Sequence, residues 1–131
     1  MHHARARRER LESVRMSDYT IYHNPRCSKS RETLALLEQA GATPKIVEYL
    51  KTPLTAAELK AIVAKLGIEP EQLVRKGEDV YKSHYAGKTL TAAQWIDAMV
   101  KYPVLIERPI VIKGNEAILG RPPENVKKLL R

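Results

Sequence analysis

An α/β fold is predicted for this chain: a mixed four-stranded sheet built from strand, helix, strand at one end and strand, strand, helix at the other, with a helical segment inserted between. Three observations carry the prediction. Short apolar runs alternate with stretches whose apolar residues recur at helical spacing. Turn and capping residues punctuate the boundaries. The only cysteine, Cys27, falls where the first strand gives way to the first helix. The 131 residues allow one domain with a modest core, and the 44% hydrophobic content is ordinary for such a fold.

Thr20-Ile-Tyr-His23 reads as the first strand. The cysteine loop follows, then a helix from about Ser30 to Ala40, with Leu34 and Leu37 inward and Gly41 as its stop. Lys45 to Leu50 is the second strand. Thr55 and Glu58 make a capping-box pattern ahead of Leu59, Ile62, Val63 and Leu66, a one-face helix ending at Gly67. A short helical turn is expected over Glu71 to Arg75. Lys76 to Lys88, where Gly77, His84, Tyr85 and Gly87 show no sustained period, is expected to be a loop. Thr91 and Gln94 open another helix, with Trp95, Ile96, Met99 and Val100 as its apolar face. Pro109 to Ile112 and Glu116 to Leu119 flank Gly114-Asn115 as a β-hairpin, and Pro122-Pro123 starts a last helix with Val126, Leu129 and Leu130 inside.

The formal charge of +8 raises nucleic-acid binding, so its distribution matters. Residues 1–15 hold Arg5, Arg7, Arg8, Arg10 and Arg15 against Glu9 and Glu12, a net of +3. They read as a basic, disordered extension ahead of a domain covering 16–131, and nucleic acid is not an expected partner of that domain. No apolar segment follows the basic start, so no secretory signal is expected, and no apolar stretch approaches a membrane span. One cysteine allows no internal disulfide, which fits a reducing compartment; the cytoplasm is the expected location, and the chain is expected to be a monomer.

Cys27 lies in Tyr22-His-Asn-Pro-Arg-Cys-Ser-Lys-Ser-Arg31. A helix N-terminus leaves backbone N–H groups unpaired and carries the positive end of the helix dipole, so a thiol there is pushed toward thiolate. Arg26, Lys29 and Arg31 push the same way. A lone cysteine is often an inert core residue, but a core cysteine is not flanked by Arg26 and Ser28 just after Asn24-Pro25. The element order is that of a thioredoxin-like βαβ…ββα sandwich, which displays its reactive thiol at this turn. Here the residue three after Cys27 is Ser30, so the chain cannot close its own disulfide, and any two-electron reduction begun by Cys27 needs a thiol from outside. Arg75, Arg108 and Arg121 stand at turn and strand ends, where planar guanidinium groups suit a tetrahedral oxyanion.

The segments His23-Asn-Pro-Arg-Cys-Ser-Lys-Ser-Arg31, Leu73-Val-Arg-Lys76, Glu107-Arg-Pro-Ile-Val111 and Gly120-Arg-Pro-Pro-Glu124 resemble those of the glutaredoxin-coupled arsenate reductase family, over roughly Tyr19 to Leu130. The chain is most similar to a shorter subgroup without a C-terminal tail. The resemblance implies that Cys27 is the nucleophile, that His23 helps hold it as thiolate, and that Ser30 hydrogen-bonds the sulfur. It implies that Arg75, Arg108 and Arg121 bind the oxyanion and hold the arsenic intermediate, and that the Arg108-Pro109 bond is cis. Arsenate or a similar oxyanion is the implied substrate, glutathione the co-substrate and glutaredoxin the protein partner, with no metal and no bound cofactor.

Each residue also admits a plainer role. Ser30 caps a helix as readily as it serves catalysis, His23 could be structural, and Arg75 suits a last helical turn without any ligand. Lys29 and Arg31 read as solvated helix-start residues, Arg31 being the better ion contact. Two other functions use the same thiol: a glutathione-dependent thiol transferase, which needs no arginines, and a redox-sensing interaction protein of the same fold, which depends on C-x-x-C. A cysteine phosphatase needs a longer loop than Cys27-Ser-Lys-Ser-Arg31 and a separate acid.

Overall fold

The computed structural model describes residues 18–130, so the extension expected over residues 1–15 lies outside the described residues. The first apolar run forms β1, Tyr19–Tyr22. It begins one residue earlier than the pattern suggests because Tyr19 itself points inward and its hydroxyl donates to the Leu129 carbonyl at 2.8 Å. β1 pairs in parallel with β2, Lys45–Val47, and antiparallel with β3, Ile110–Lys113. β3 in turn pairs antiparallel with β4, Glu116–Leu119. The order across the sheet is β2-β1-β3-β4, the mixed four-stranded sheet expected.

Side chains alternate across the strands and so divide the core in two. On one face Tyr19, Ile21 and Val111 pack with Leu37, Val126 and Leu129. On the other, Ile110 and Ile112 join Leu59, Ile62 and Val63 of α2 (Ala56–Leu66) and Trp95, Ile96 and Met99 of α4 (Ala92–Lys101). Both helices start with capping boxes, the one at Thr55 read from the sequence and the other formed by the pair expected to open its helix, Thr91 and Gln94. Thr55 Oγ1 accepts from Glu58 N at 3.1 Å and Thr91 Oγ1 from Gln94 N at 3.2 Å, while each Glu58 or Gln94 side chain accepts from the cap N–H. Gly67, at φ 68°, closes α2 in the left-handed conformation that a side chain would strain.

Several boundaries differ from expectation, each for a local reason. The first helix, α1, covers Ser28–Gln39, two residues earlier than expected. Its apolar period begins late, but Arg31 N already donates to Cys27 O at 3.0 Å. β2 stops at Val47 instead of Leu50. The N–H groups of Lys51 and Thr52 both turn back to Glu48 O at 2.9 Å, which swings Tyr49 into the core. The turn expected at Glu71 to Arg75 is a 3-10 helix over Pro70–Leu73. The expected loop from Lys76 to Lys88 contains α3, Asp79–His84, which buries none of its residues and therefore has no apolar stripe to read. An unanticipated 3-10 turn covers Pro103–Leu105. The last helix is also 3-10, over Pro123–Leu129, and its inward residues Pro123, Val126 and Leu129 recur at i, i+3, the period of that helix.

Gly120, between β4 and the last helix, is a packing constraint. A Cβ there would meet Thr33 Oγ1 at 2.5 Å and Pro109 Cγ at 2.7 Å, and Thr33 is wholly buried with its hydroxyl bonded to Lys29 O at 2.8 Å. Gly120→Ala is expected to cost about 1–3 kcal/mol through overpacking, read as a lower urea midpoint at unchanged slope. Gly77→Ala, where nothing lies within 4 Å of the new Cβ, should leave the midpoint near wild type.

Candidate active site

The segment between β1 and α1 is held by hydrogen bonds that begin at the sheet. His23 N donates to Val47 O at 2.8 Å, carrying the β1–β2 pairing one residue past β1. Asn24 then turns the chain. Its side-chain Oδ1 accepts from Arg26 N at 3.1 Å and its carbonyl accepts from Cys27 N at 2.9 Å. Ser30, fully buried, ties the loop back to the helix: its hydroxyl accepts from Asn24 N at 3.0 Å and pairs with His23 Nδ1 at 2.5 Å. Arg31 donates from Nη1 to Pro25 O at 2.9 Å, so its guanidinium braces the loop.

Cys27 is thereby left as the N-cap of α1, partly exposed. Burial of the sulfur disfavours the thiolate. Against it work the Ser30 N–H, the hydrogen bond and charge of Arg108, and the Lys29 N–H, which together hold the thiol below its ordinary value of 9.0. The sulfur makes no regular capping hydrogen bond, so the two amides act as a convergent positive field at close range. This differs in detail from the role implied for Ser30. Its hydroxyl faces His23 and Asn24, and toward the sulfur it offers its backbone N–H. His23 likewise bears on the loop through Ser30. Burial pushes its pKa down, with Glu48 raising and Arg31 lowering it further, so the ring stays neutral at neutral pH.

The arginines arrive from two other parts of the chain. Val74 and Ile106 form an isolated antiparallel bridge, with Arg75 N donating to Leu105 O at 2.7 Å and Glu107 N to Leu73 O at 2.8 Å. Arg75 and Glu107 are thus neighbours, and Arg75 Nη1 meets Glu107 Oε1 at 2.6 Å while its Nε meets Glu78 Oε1 at 3.1 Å. Arg108 Nη1 lies 3.8 Å from the same Glu78 oxygen, and Arg121 Nε lies 3.6 Å from Glu107 Oε1. Arg121 Nη1 donates to Arg108 O at 3.3 Å and sits 4.0 Å from Cys27 Sγ. Arg108 and Arg121 therefore flank the sulfur directly, whereas Arg75 joins them through the two carboxylates. Both Arg108-Pro109 and Arg121-Pro122 are cis, the first as expected and the second not anticipated.

The ArsC family model matches residues 22–129, a span that runs from the end of β1 through the last helix and takes in every residue of this site. The chain belongs to the ArsC family. It is 48% identical over 112 residues to the arsenate reductase of Haemophilus influenzae, covering 84% of this chain and 97% of that protein. It is equally identical over 112 residues to the uncharacterized protein YfgD of Escherichia coli K12, covering 84% of this chain and 94% of that one. A solved arsenate reductase from Vibrio cholerae superposes with a TM-score of 0.82 at 45% identity, over 85% of this chain and 96% of that structure.

Beside the cysteine loop of this ArsC chain lies a groove of about 490 Å³, lined by His23 to Arg26 together with Leu50, Val104 and Arg108. Leu50 and Val104 are exposed apolar side chains in its lining. Sequence reasoning missed the two carboxylates. Glu107 lies next to Arg108 in a segment already singled out, and a carboxylate beside a cluster of arginines was the signal available. Glu78 sits in the stretch expected to be a loop, and nothing in its spacing marks it.

The folded thiol has a lower pKa than the unfolded one, so between the two values the unfolded chain binds more protons and stability rises with pH. That rise is fully present above the unfolded value, is lost as pH falls through the folded one, and should be absent in Cys27→Ser. Iodoacetamide alkylation of Cys27 should follow the same titration, with its midpoint below 9.0. Arg108→Gln is expected to move that midpoint upward and slow alkylation at pH 6.5 by about three- to tenfold.

Proposed function

We propose that this chain reduces arsenate to arsenite with glutathione and glutaredoxin as the outside thiols. The observation that carries this reading is a single thiol, shifted toward thiolate, flanked by Arg108 and Arg121 with no second cysteine in the chain. The names of its family relatives support the substrate.

In this scheme the Cys27 thiolate attacks arsenic and forms a sulfur–arsenic bond. One arsenate oxygen leaves, taking up protons to become water, while Arg108 and Arg121 offset the negative charge on the remaining oxygens. Glutathione thiolate, entering along the groove beside Leu50 and Val104, then attacks the Cys27 sulfur. The sulfur–arsenic bond breaks with its electron pair passing to arsenic, so As(V) becomes As(III) and two thiols become one mixed disulfide. Arsenite departs, and glutaredoxin reduces the Cys27–glutathione disulfide. No bound cofactor enters the scheme, which needs a reducing compartment such as the cytoplasm.

Purified protein with glutathione, glutaredoxin, glutathione reductase and NADPH is expected to oxidise NADPH only when arsenate is added. Cys27→Ser should abolish that turnover, and Arg121→Ala should lower kcat/KM for arsenate by about 10²-fold. Wild-type protein that exchanges disulfides with glutathione yet shows no arsenate-dependent oxidation would instead establish a thiol transferase.

A further inference from the structure

Tyr49 follows β2 and is turned inward until only 1% of it is exposed. It packs in the cluster that contains Val74 and Ile106, the bridge that carries Arg75 and Glu107. Its chain neighbours Glu48 and Leu50 line the same groove as Arg108 and the loop residues His23 to Arg26. The ring is well buried, but the hydroxyl has no hydrogen-bond partner. Buried tyrosine hydroxyls ordinarily find one, because leaving a phenol desolvated and unpaired is costly.

A second buried atom in the same neighbourhood is also unpaired. Arg108 directs its Nη1 toward Glu78, but its Nε has no partner. Two buried hydrogen-bond donors are thus left unpaired, on residues that both interact electrostatically with Cys27. The Tyr49 hydroxyl feels the charges of Arg108, Arg75, Cys27 and Glu107, and burial, the dominant influence, pushes its pKa up to about 12. It therefore keeps its proton at neutral pH and acts as a donor there. The other unpaired buried atom among the described residues, Trp95 Nε1, belongs to a ring that packs against Tyr81 and Tyr85.

We propose that the Tyr49 hydroxyl and Arg108 Nε form a two-donor subsite for one oxygen of a tetrahedral oxyanion bound at Cys27. The proposal rests on the reading of this site as an oxyanion site and adds to it a neutral donor. One oxygen of arsenate or phosphate carries enough lone pairs to accept from both groups. The desolvation cost already borne in the free protein is then recovered on binding, so the pair favours the ligand-bound state. A phenol also donates without adding charge, which suits a site where a thiolate and an oxyanion must lie side by side.

Tyr49→Phe removes one oxygen and keeps the ring, so it separates this role from packing. Three measurements test it: calorimetric affinity for arsenate and for inorganic phosphate, the pH profile of Cys27 alkylation, and the urea midpoint without ligand. The expected result is affinity for both anions weaker by about tenfold, an alkylation profile like wild type, and a midpoint unchanged or higher. Wild-type affinity in Tyr49→Phe would overturn the proposal, and so would a lower midpoint with affinity unchanged, the mark of a hydroxyl with a structural partner only. Wild-type protein that binds neither anion would overturn both the oxyanion reading and the subsite. Wild-type protein that binds arsenate without reducing it would defeat the reductase alone, leaving the affinity comparison to decide on Tyr49.

Discussion

Three guanidinium groups in one cluster, two of them beside the sulfur, repel each other, and that repulsion is the constraint around which the site is built. Two like charges 4 Å apart at an effective dielectric near 20 oppose each other by about 4 kcal/mol. Glu78 and Glu107 lie between them: Glu107 joins Arg75 to Arg121, and Glu78 joins Arg75 to Arg108. These ion pairs are partly buried, where the cost of desolvating the charges offsets much of their attraction. Their importance is positional, because together they hold the arginines in one place while leaving the cluster one positive charge in excess before the thiolate is counted.

The backbone around this network is arranged so that each charged group arrives from a rigid neighbour. Arg75 and Glu107 are placed by the Val74–Ile106 bridge, a single pairing supported by Leu73 and Leu105, both wholly buried. Cys27 is placed by α1, whose first turn is fastened to β1 through Ser30, His23 and Asn24. Buried polar groups are costly unless paired, and the His23–Ser30–Asn24 set pairs its members while orienting the amides that face the sulfur. Stability and reactivity depend on the same few contacts here.

The sheet was readable because its strands are short apolar runs between turn residues, and two of the helices because their apolar faces open at Thr55 and Thr91. The sequence was least informative where structure does not come from an amphipathic pattern. α3 has no fully buried residue, and the last helix follows a three-residue period within a segment short enough to pass for an α-helix. The site shows the same division. Cys27, Arg108 and Arg121 could be found from local chemistry beside turns and strand ends. Glu78 could not, since its partners are Arg75, three residues away, and Arg108, thirty residues away, and only the fold brings the second to it. Tyr49 looked like an ordinary strand residue, and its unpaired hydroxyl is a property of the folded core alone.

The β3–β4 hairpin has a consequence that reaches beyond the sheet. Ile110 faces Leu119 in its register, and the ladder continues outward with Gly120 N donating to Pro109 O at 2.9 Å, then with the Arg121 side chain on Arg108 O. The two arginines therefore stand at matching positions beyond the open end of a ruler whose other end is the Gly114-Asn115 turn. Slipping one strand by a single residue would displace its arginine by about 3.3 Å and invert the face on which it projects. A turn about 13 Å from the far strand ends Ile110 and Leu119, four residues at that rise, thus calibrates the spacing of the anion-binding groups without touching any of them.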